Sequence, residues 1–403
     1  MIDLKKIQEA RSRIKPVVEN NPLSFAPRLS NEVGTQIYLK KENLQVIGAF
    51  KIRGAFNKIA SMSKEDRKNG VIASSAGNHA QGVAYSASYF SIPAVIVMPE
   101  ATPLLKVLAT KKYGAEVILA GDNYDEAYAY ALKLAQEKKL HFIHPFADDE
   151  VMAGQGSIAL EMIEEEPDVN IVFVPIGGGG LIGGIASAYK SLKPEVKIIG
   201  VTAKGAPAMR DSFKNKSIQK VDSVRTIADG IAVRDVNEKN YRYICEGVDD
   251  IVEVDDEEIA SAVLYLLENQ KLVVEGAGAS GVAAVLHKKI ELRPTDKVAI
   301  ILSGGNIDVT MLNLIIEKGL IKSDRKMKFK VILVDKPGSL QKLTDILTQV
   351  GVNIVQIDYD RVSTSLDYGD ASVTMALETK GRDHKEEIRL KLLEYGYKFN
   401  EIF

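Results

Sequence analysis

Twice in this chain a short β-branched run gives way to a loop of small residues that opens a helix. The run Val71–Ser74 leads into Ser75-Ala76-Gly77-Asn78-His79 and a helical pattern reaching about Tyr89. The run Ile171–Ile176 leads into Gly177-Gly178-Gly179-Gly180-Leu181 and another helical pattern. A strand that feeds a helix through a tight loop is half of a βαβ unit, and such units build parallel sheets with helices on both faces. Further runs at Ile37–Lys40, Ala94–Met98, Glu116–Ala120, Lys197–Thr202 and Lys297–Leu302, with helical patterns in most gaps, extend the reading to an α/β fold with mainly parallel sheet. No segment recurs at a fixed period, so the chain is not a solenoid.

Both loops are anion sites by construction. The first turn of a helix presents unpaired backbone N–H groups and about half a unit of positive charge, so it takes a phosphate or carboxylate without a cation. Glycines let the main chain come close to such a ligand, and they equally serve tight packing of helix on sheet. Gly178, Gly180 and Gly183 also match the G-x-G-x-x-G spacing of a dinucleotide fold. That reading fails because the next run ends in Thr202-Ala203-Lys204, which offers no acid to a ribose hydroxyl.

Two more segments complete the set. Lys51, in Gly48-Ala49-Phe50-Lys51-Ile52-Arg53-Gly54, taken alone is a solvated side chain. At the mouth of a phosphate pocket, with apolar neighbours, burial would lower its pKa and make it a nucleophilic amine. Ser303, in Ser303-Gly304-Gly305-Asn306, follows the run ending at Leu302, where a hydroxyl can reach the crevice at the strand's carboxyl end or simply serve the turn. Two anion cradles, one amine and one polar turn read as a pyridoxal phosphate enzyme acting on an amino acid.

Composition bounds that reading. At 403 residues the chain is too long for one ordinary core, and two or three units are expected. A net charge of −2 without a basic run argues against nucleic-acid binding. Cys245 is the only cysteine, so there is no internal disulfide or multi-thiolate metal site, and a reducing compartment is expected. His141 and His144 are three apart, but no nearby acidic or thiolate set completes a metal shell. Met1–Leu23 has apolar residues at helical spacing (Ile2, Leu4, Ile7, Ala10, Ile14) and reads as an amphipathic surface helix, not a signal peptide. The apolar stretch Ile171–Ala188 is too broken by glycines and Pro175 to span a membrane. A cytoplasmic protein is expected.

Between Ile315 and Met327 the sequence turns polar, which places a linker at 321–327 between a unit of residues 1–320 and a unit of residues 328–403. Within the first, residues about 55–150 are expected to form a smaller lobe inserted in a larger one. The tail reads βαββαβ: strand Phe329–Val334, a helix with Ser339 as N-cap and Leu340, Leu343, Ile346, Leu347 and Val350 on one face, strands Val352–Tyr359 and Ala371–Leu377, a helix, and strand Tyr397–Ile402. That order makes a ferredoxin-like α+β sheet with two helices on one side.

Residues 1 to about 320 resemble the two-lobed fold type II pyridoxal phosphate enzymes, whose architecture is that of tryptophan synthase β. Phe50-Lys51-Ile52-Arg53-Gly54-Ala55, Ser75-Ala76-Gly77-Asn78-His79-Ala80-Gln81-Gly82, Gly177-Gly178-Gly179-Gly180-Leu181 and Ser303-Gly304-Gly305-Asn306 are similar, in order and spacing, to the motif set of the threonine dehydratase (threonine ammonia-lyase) family. The resemblance implies pyridoxal 5'-phosphate as cofactor, attached covalently to Lys51 with Phe50 beside its ring. Asn78 would hydrogen-bond its phenolic oxygen. Gly177, Gly178, Gly179, Gly180 and Leu181 would hold its phosphate, and Ser303 would face its ring nitrogen. Ser75, Ala76, Gly77, Asn78 and His79 would take the substrate carboxylate, with Glu275 and Asn306 in support. The reaction implied is dehydration and deamination of threonine, or serine, to 2-oxobutanoate or pyruvate and ammonia.

Two departures separate the chain from related serine racemases, which place a serine where Ala76 stands and use an acidic metal ligand where Ala203-Lys204-Gly205 stands. The tail resembles the ACT domain, which implies an amino-acid effector near Asp335-Lys336-Pro337-Gly338 and Gly351-Val352-Asn353-Ile354, and a homodimer or homotetramer. A racemase of the same fold and a non-catalytic amino-acid sensor are the alternative readings.

Overall fold

The computed structural model describes residues 1–403, which divide into two compact units, Met1–Ile307 and Asp308–Phe403. The first unit holds ten strands: β1 (Ser24–Phe25), β2 (Gln36–Lys40), β3 (Val71–Ser74), β4 (Ala94–Met98), β5 (Glu116–Leu119), β6 (His141–Phe142), β7 (Ile171–Pro175), β8 (Lys197–Ala203), β9 (Asp250–Val254) and β10 (Lys297–Ile301). The seven expected strands are all present, each within a residue of its expected ends. The short β1 and β6 and the acid-bearing β9 were not expected.

Six strands form one sheet in the order β1-β2-β10-β7-β8-β9, parallel except for the β1–β2 pair. Four form a second, wholly parallel sheet in the order β5-β4-β3-β6. The chain therefore leaves the large sheet after β2, builds the small one and returns at β7. Every residue of β3, β4 and β7 is buried, as expected of parallel strands covered on both faces, which read as unbroken apolar runs.

Each sheet reverses direction once. In the large sheet β7, β8 and β9 progress one way and β10 returns to the other side of β7. In the small sheet β3, β4 and β5 progress one way and β6 falls on the other side of β3. Crevices open beyond the carboxyl ends of strands at such reversals. The loops that leave those strand ends are Gly177–Gly180 after β7, Ser303–Gly305 after β10 and Ser75–Gly77 after β3.

Helices reach each other through glycine contacts that leave no room for a side chain. A methyl group on Gly156, in helix Asp149–Glu165, would lie 2.8 Å from the Gly184 carbonyl oxygen of helix Gly180–Leu192. One on Gly154 would lie 2.5 Å from the Arg53 carbonyl oxygen, so the same helix seats the Lys51–Ser61 helix backbone against backbone. The N-terminal helix is shorter than expected, Leu4–Ile14, capped by the Asp3 carboxylate accepting from Lys5 N–H. It is an amphipathic surface helix, as expected: Ile7, Ala10 and Ile14 form one buried stripe that docks it on the core, while Lys5, Lys6, Gln8 and Glu9 are exposed.

The second unit begins with helix Val309–Lys322, followed by β11 (Lys326–Val334), helix Ser339–Gln349, β12 (Asn353–Asp360), β13 (Asp370–Glu378), helix Arg382–Glu394 and β14 (Phe399–Glu401). The strands pair antiparallel in the order β12-β13-β11-β14. Met327, Phe329, Val331 and Leu333 alternate inward onto Leu343, Ile346, Leu347, Ile388 and Leu392. The polar run at 321–327 is not a free linker. It is the end of one helix, a two-residue turn after Ser323 and the start of β11; the division into units falls earlier, at Ile307/Asp308. The N-cap of the first tail helix is Gly338, at φ +88°, with Ser339 already helical, because the tight turn after Pro337 demands a left-handed residue.

Candidate active site

The helix Lys51–Ser61 starts directly at Lys51, with Phe50 as its N-cap. Phe50 N–H donates to the Ser303 carbonyl oxygen (3.0 Å), and Ala49 bridges Gly304, so the first turn of this helix is tied to the loop after β10. Lys51 Nζ donates to the Pro145 carbonyl oxygen at 2.8 Å and lies 5.2 Å from the Phe50 ring centroid. Burial pushes the amine down to about 8, with the Glu275 carboxylate pulling the other way.

The Ser75–His79 loop enters its helix at Asn78 with Gly77 as N-cap, and no side chain caps it. The helix after Gly177–Gly180 likewise has a glycine N-cap, Gly179 at φ +84°, and no side-chain cap. By contrast the helices starting at Asp149, Glu238 and Asp256 are capped by Asp148, Asn237 and Asp255. Both starts, like those of helices Lys51–Ser61 and Gly276–Leu286, lack a side-chain cap and leave backbone donors for an outside anion. A methyl group on Gly77 would meet nothing within 4 Å, so the loop borders open space.

The glycines of the second loop serve packing as well. A methyl on Gly178 would drive into the Phe146 ring, and one on Gly180 would lie 2.8 Å from the Phe146 carbonyl oxygen. One on Gly177 would lie 2.9 Å from Ile231 Cα. Leu181 is buried in the core, so only its backbone N–H is open to a ligand role. Asn240, wholly buried, donates from Nδ2 to the carbonyl oxygens of Gly178 (2.5 Å) and Phe146 (3.1 Å), which fixes how this loop is turned.

Glu275 closes the circuit between the segments. Its carboxylate accepts from Asn78 Nδ2 at 2.9 and 3.1 Å, and its backbone N–H donates to the Gly304 carbonyl oxygen at 3.0 Å. Burial raises the Glu275 carboxyl, the Asn78 hydrogen bond opposes that, and Asp229 adds to it. Asn306 Nδ2 donates to Asn78 Oδ1 (2.7 Å) and the Ile47 carbonyl oxygen (2.8 Å). A methyl on Gly230 would lie 3.2 Å from Glu275 Oε1, and Ile231 lies against Gly177. The contacts therefore form a closed ring: Lys51 to Pro145, Phe146 to the glycine loop, that loop to Gly230-Ile231, on to Glu275, to Asn78 and Gly304, and through Ser303 back to Phe50.

All four motif segments meet in that ring. Ser303 is 3% exposed, with its carbonyl taken by Phe50. The Ser75 hydroxyl accepts from Gly77 N–H at 3.2 Å, and Ala76 is half-buried between them. His79 does not offer itself as a base. Nε2 binds the Ile143 carbonyl oxygen at 2.8 Å, and burial together with the Lys51 charge pushes the imidazole down to about 3. No group of three or more His, Cys, Asp or Glu side chains is placed to hold a metal ion.

Sequence reading missed three contributors. One is the His144–Phe146 segment, which joins Lys51 to the glycine loop. Another is Asn240. The third is the cluster around Arg53, two residues past Lys51 and wholly buried. Its guanidinium donates to both oxygens of buried Glu42 (2.7 and 2.8 Å), to both oxygens of Glu161 (2.6 and 2.8 Å) and to Ser157 Oγ (3.0 Å). Lys40 Nζ, also fully buried, lies 2.8 Å from Glu161. Burial opposes the charge on Arg53, but the two carboxylates outweigh it and hold the group above its ordinary value.

This geometry can be set beside known proteins. Residues 14–304 match the family model described as pyridoxal-phosphate dependent enzyme. The chain is 48% identical over 397 residues to an L-threonine ammonia-lyase of Thermotoga maritima, an alignment covering 98% of each chain. To an L-threonine ammonia-lyase of Geobacter sulfurreducens it is 46% identical over 400 residues, again 98% of each. Among solved structures, maize serine racemase superposes with a TM-score of 0.75 at 35% identity, over 80% of this chain and 98% of that one.

Proposed function

The chain belongs to the pyridoxal-phosphate dependent enzymes, and from that membership we propose that it deaminates L-threonine, removing the Cα proton and the β-hydroxyl as water. The resulting enamine hydrolyses to 2-oxobutanoate and ammonia. The observation that carries this reading is the ring of contacts that surrounds a desolvated lysine amine with two uncapped helix starts. These residues fit the cofactor: an amine at about 8, glycine-lined N-terminal helix turns for a phosphate and a carboxylate, and a buried hydroxyl at Ser303.

Bound pyridoxal 5'-phosphate supplies an electron sink that acidifies the Cα proton of an attached amino acid. Lys51 would hold it covalently, with Phe50 beside it. Backbone N–H groups of Gly177 to Leu181 would hold its phosphate, Asn78 its phenolic oxygen and Ser303 its ring nitrogen, where a neutral serine would offer a hydrogen bond and no charge. The Ser75–His79 backbone binds the substrate carboxylate. Lys51 Nζ would accept the Cα proton. Glu275 and Asn306 orient Asn78.

Ala76 favours elimination over racemisation. Its methyl group carries no transferable proton, so this position would offer no acid to reprotonate Cα. Serine is also a substrate on this reading, since one methyl group changes binding by only about 1–3 kcal/mol. Residues 328–403 act as an ACT-type regulatory module that pairs copies of the chain and binds an amino-acid effector. Support for pairing comes from β12, an edge strand whose Val355, Ile357 and Tyr359 are exposed.

The test is a pH–rate profile for threonine turnover, with and without isoleucine or valine. A base must be unprotonated to work, and Lys51 loses its proton through about pH 8, so kcat is expected to rise through that region and level off above it. A branched-chain amino acid is expected to shift the substrate concentration at half-maximal rate. A profile flat from pH 6 to 9, as an order-of-magnitude window around that value, contradicts the base assignment.

A further inference from the structure

Lys51 Nζ is held by the Pro145 carbonyl oxygen, so whatever fixes Pro145 fixes the amine. The segment 144–148 joins β6 to helix Asp149–Glu165 without regular structure, yet it is clamped at both ends. His144 Nδ1 accepts from two backbone N–H groups, Phe146 (3.2 Å) and Ala147 (2.9 Å). Asn240 holds the Phe146 carbonyl, and the Asp148 carboxylate accepts from Glu150 and Val151 N–H while pairing with Lys58 at 2.6 Å. The His144 ring is itself fixed edge-on by Phe146 (4.8 Å), Tyr128 (6.1 Å) and Phe142 (6.2 Å). A polar ring placed among aromatic rings, with its Nδ1 spent on two amides, has a backbone task.

The geometry points to His144 as a positioning residue: by gathering the Phe146 and Ala147 amides it turns the Pro145 carbonyl toward Lys51, so that the amine displaced by substrate is received at one fixed acceptor. This rests on Lys51 being the cofactor-bearing amine. An unprotonated Nδ1 is required to accept both bonds. Burial, followed by the charge on Lys51, holds the imidazole down to about 4 while Asp148 opposes this, so Nδ1 stays an acceptor across the working range. The groups facing Lys51 are Glu275, His79 and His144, and those facing His144 are Lys51, Asp148 and His79. Dispersion from the aromatic neighbours does not need the nitrogen, which makes ring packing and hydrogen bonding separable by mutation.

His144→Phe keeps a ring among the aromatic neighbours and deletes the acceptor. His144→Asn gives up the ring but returns an acceptor oxygen. In full-length protein freed of cofactor, Lys51 is reductively methylated with formaldehyde and cyanoborohydride across a pH series and quantified by peptide mass spectrometry. The wild-type midpoint is expected near 8. H144F is expected to raise it by about one unit as water reaches the released amine, and H144N to stay near wild type. In loaded enzyme, H144F is expected to lower kcat about 10- to 100-fold with KM little changed. An unshifted midpoint in H144F, or the same shift in both variants, overturns the inference. Should H144F not fold, H144L reads the same midpoint. Borohydride reduction of the loaded wild type keeps the two claims apart. Cofactor fixed to another lysine ends the reading of Lys51, whereas cofactor on Lys51 with an unshifted H144F midpoint ends only the role of His144.

Discussion

Replacing Lys51 with alanine is expected to lower threonine turnover by about four orders of magnitude while leaving the fold intact. The amine has two duties on this account, covalent hold on the cofactor and acceptance of the Cα proton, and general acid–base catalysis alone is worth about 10²- to 10⁴-fold. Stability is expected to change little or to improve. The amine is held in a desolvated site at a pKa of about 8, so at neutral pH its protonated form stays charged against a burial penalty that alanine removes. Helix Lys51–Ser61 keeps its seat, because Gly54 and Gly154 bring its backbone against helix Asp149–Glu165 independently of the lysine. Steady-state kinetics with a thermal melt separates the two outcomes. Loss of activity together with loss of folding would point to a structural lysine.

The second large effect falls two residues further on. Arg53→Met is expected to destabilise the first unit by about 3–5 kcal/mol, because it strands the fully buried charge on Glu42 and leaves Glu161 with Lys40 alone. Methionine fills much of the arginine stem's volume, so the loss reads the charge and not a cavity. The exposed pair between Arg11 and Glu164 (2.5 Å) supplies the contrast: Arg11→Ala is expected to cost about 0–1 kcal/mol. Adding Glu42→Gln to R53M is expected to recover part of the loss by removing one stranded charge. Equal melting temperatures for R53M and R11A would contradict the burial argument.

The parts of this molecule legible in its sequence are those set by local rules. Parallel strands announce themselves as unbroken apolar runs, and the loops after β3 and β7 announce uncapped helix starts through glycine and the absence of a capping carboxylate. Strand β9 escaped because Asp250 and Glu253 break its apolar pattern, and β6 because two residues carry no period. The N-terminal helix was legible as an amphipathic surface element because its apolar residues repeat at helical spacing. Gly338 lost its cap role to Ser339 in the reading because residue type, and not backbone angle, is what a sequence displays.

At the site, the motif residues were legible and their partners were not. Glu42, Glu161 and Lys40 are ordinary charged residues until the fold brings them to Arg53. His144 was read only as one of two histidines without a metal shell, and its Nδ1 accepts from two backbone amides. Asn240 lies in a helix with no motif around it. The Glu161 and Asn240 contacts cross a long stretch of chain, and no local spacing encodes such a meeting.

The ε-nitrogen of Lys51 is the proposed attachment point of pyridoxal 5'-phosphate. Purified full-length protein, loaded with the cofactor, reduced with borohydride and digested, is expected to yield a single phosphopyridoxyl-modified peptide containing Phe50-Lys51-Ile52. Modification of a different lysine, or none above background, would contradict it.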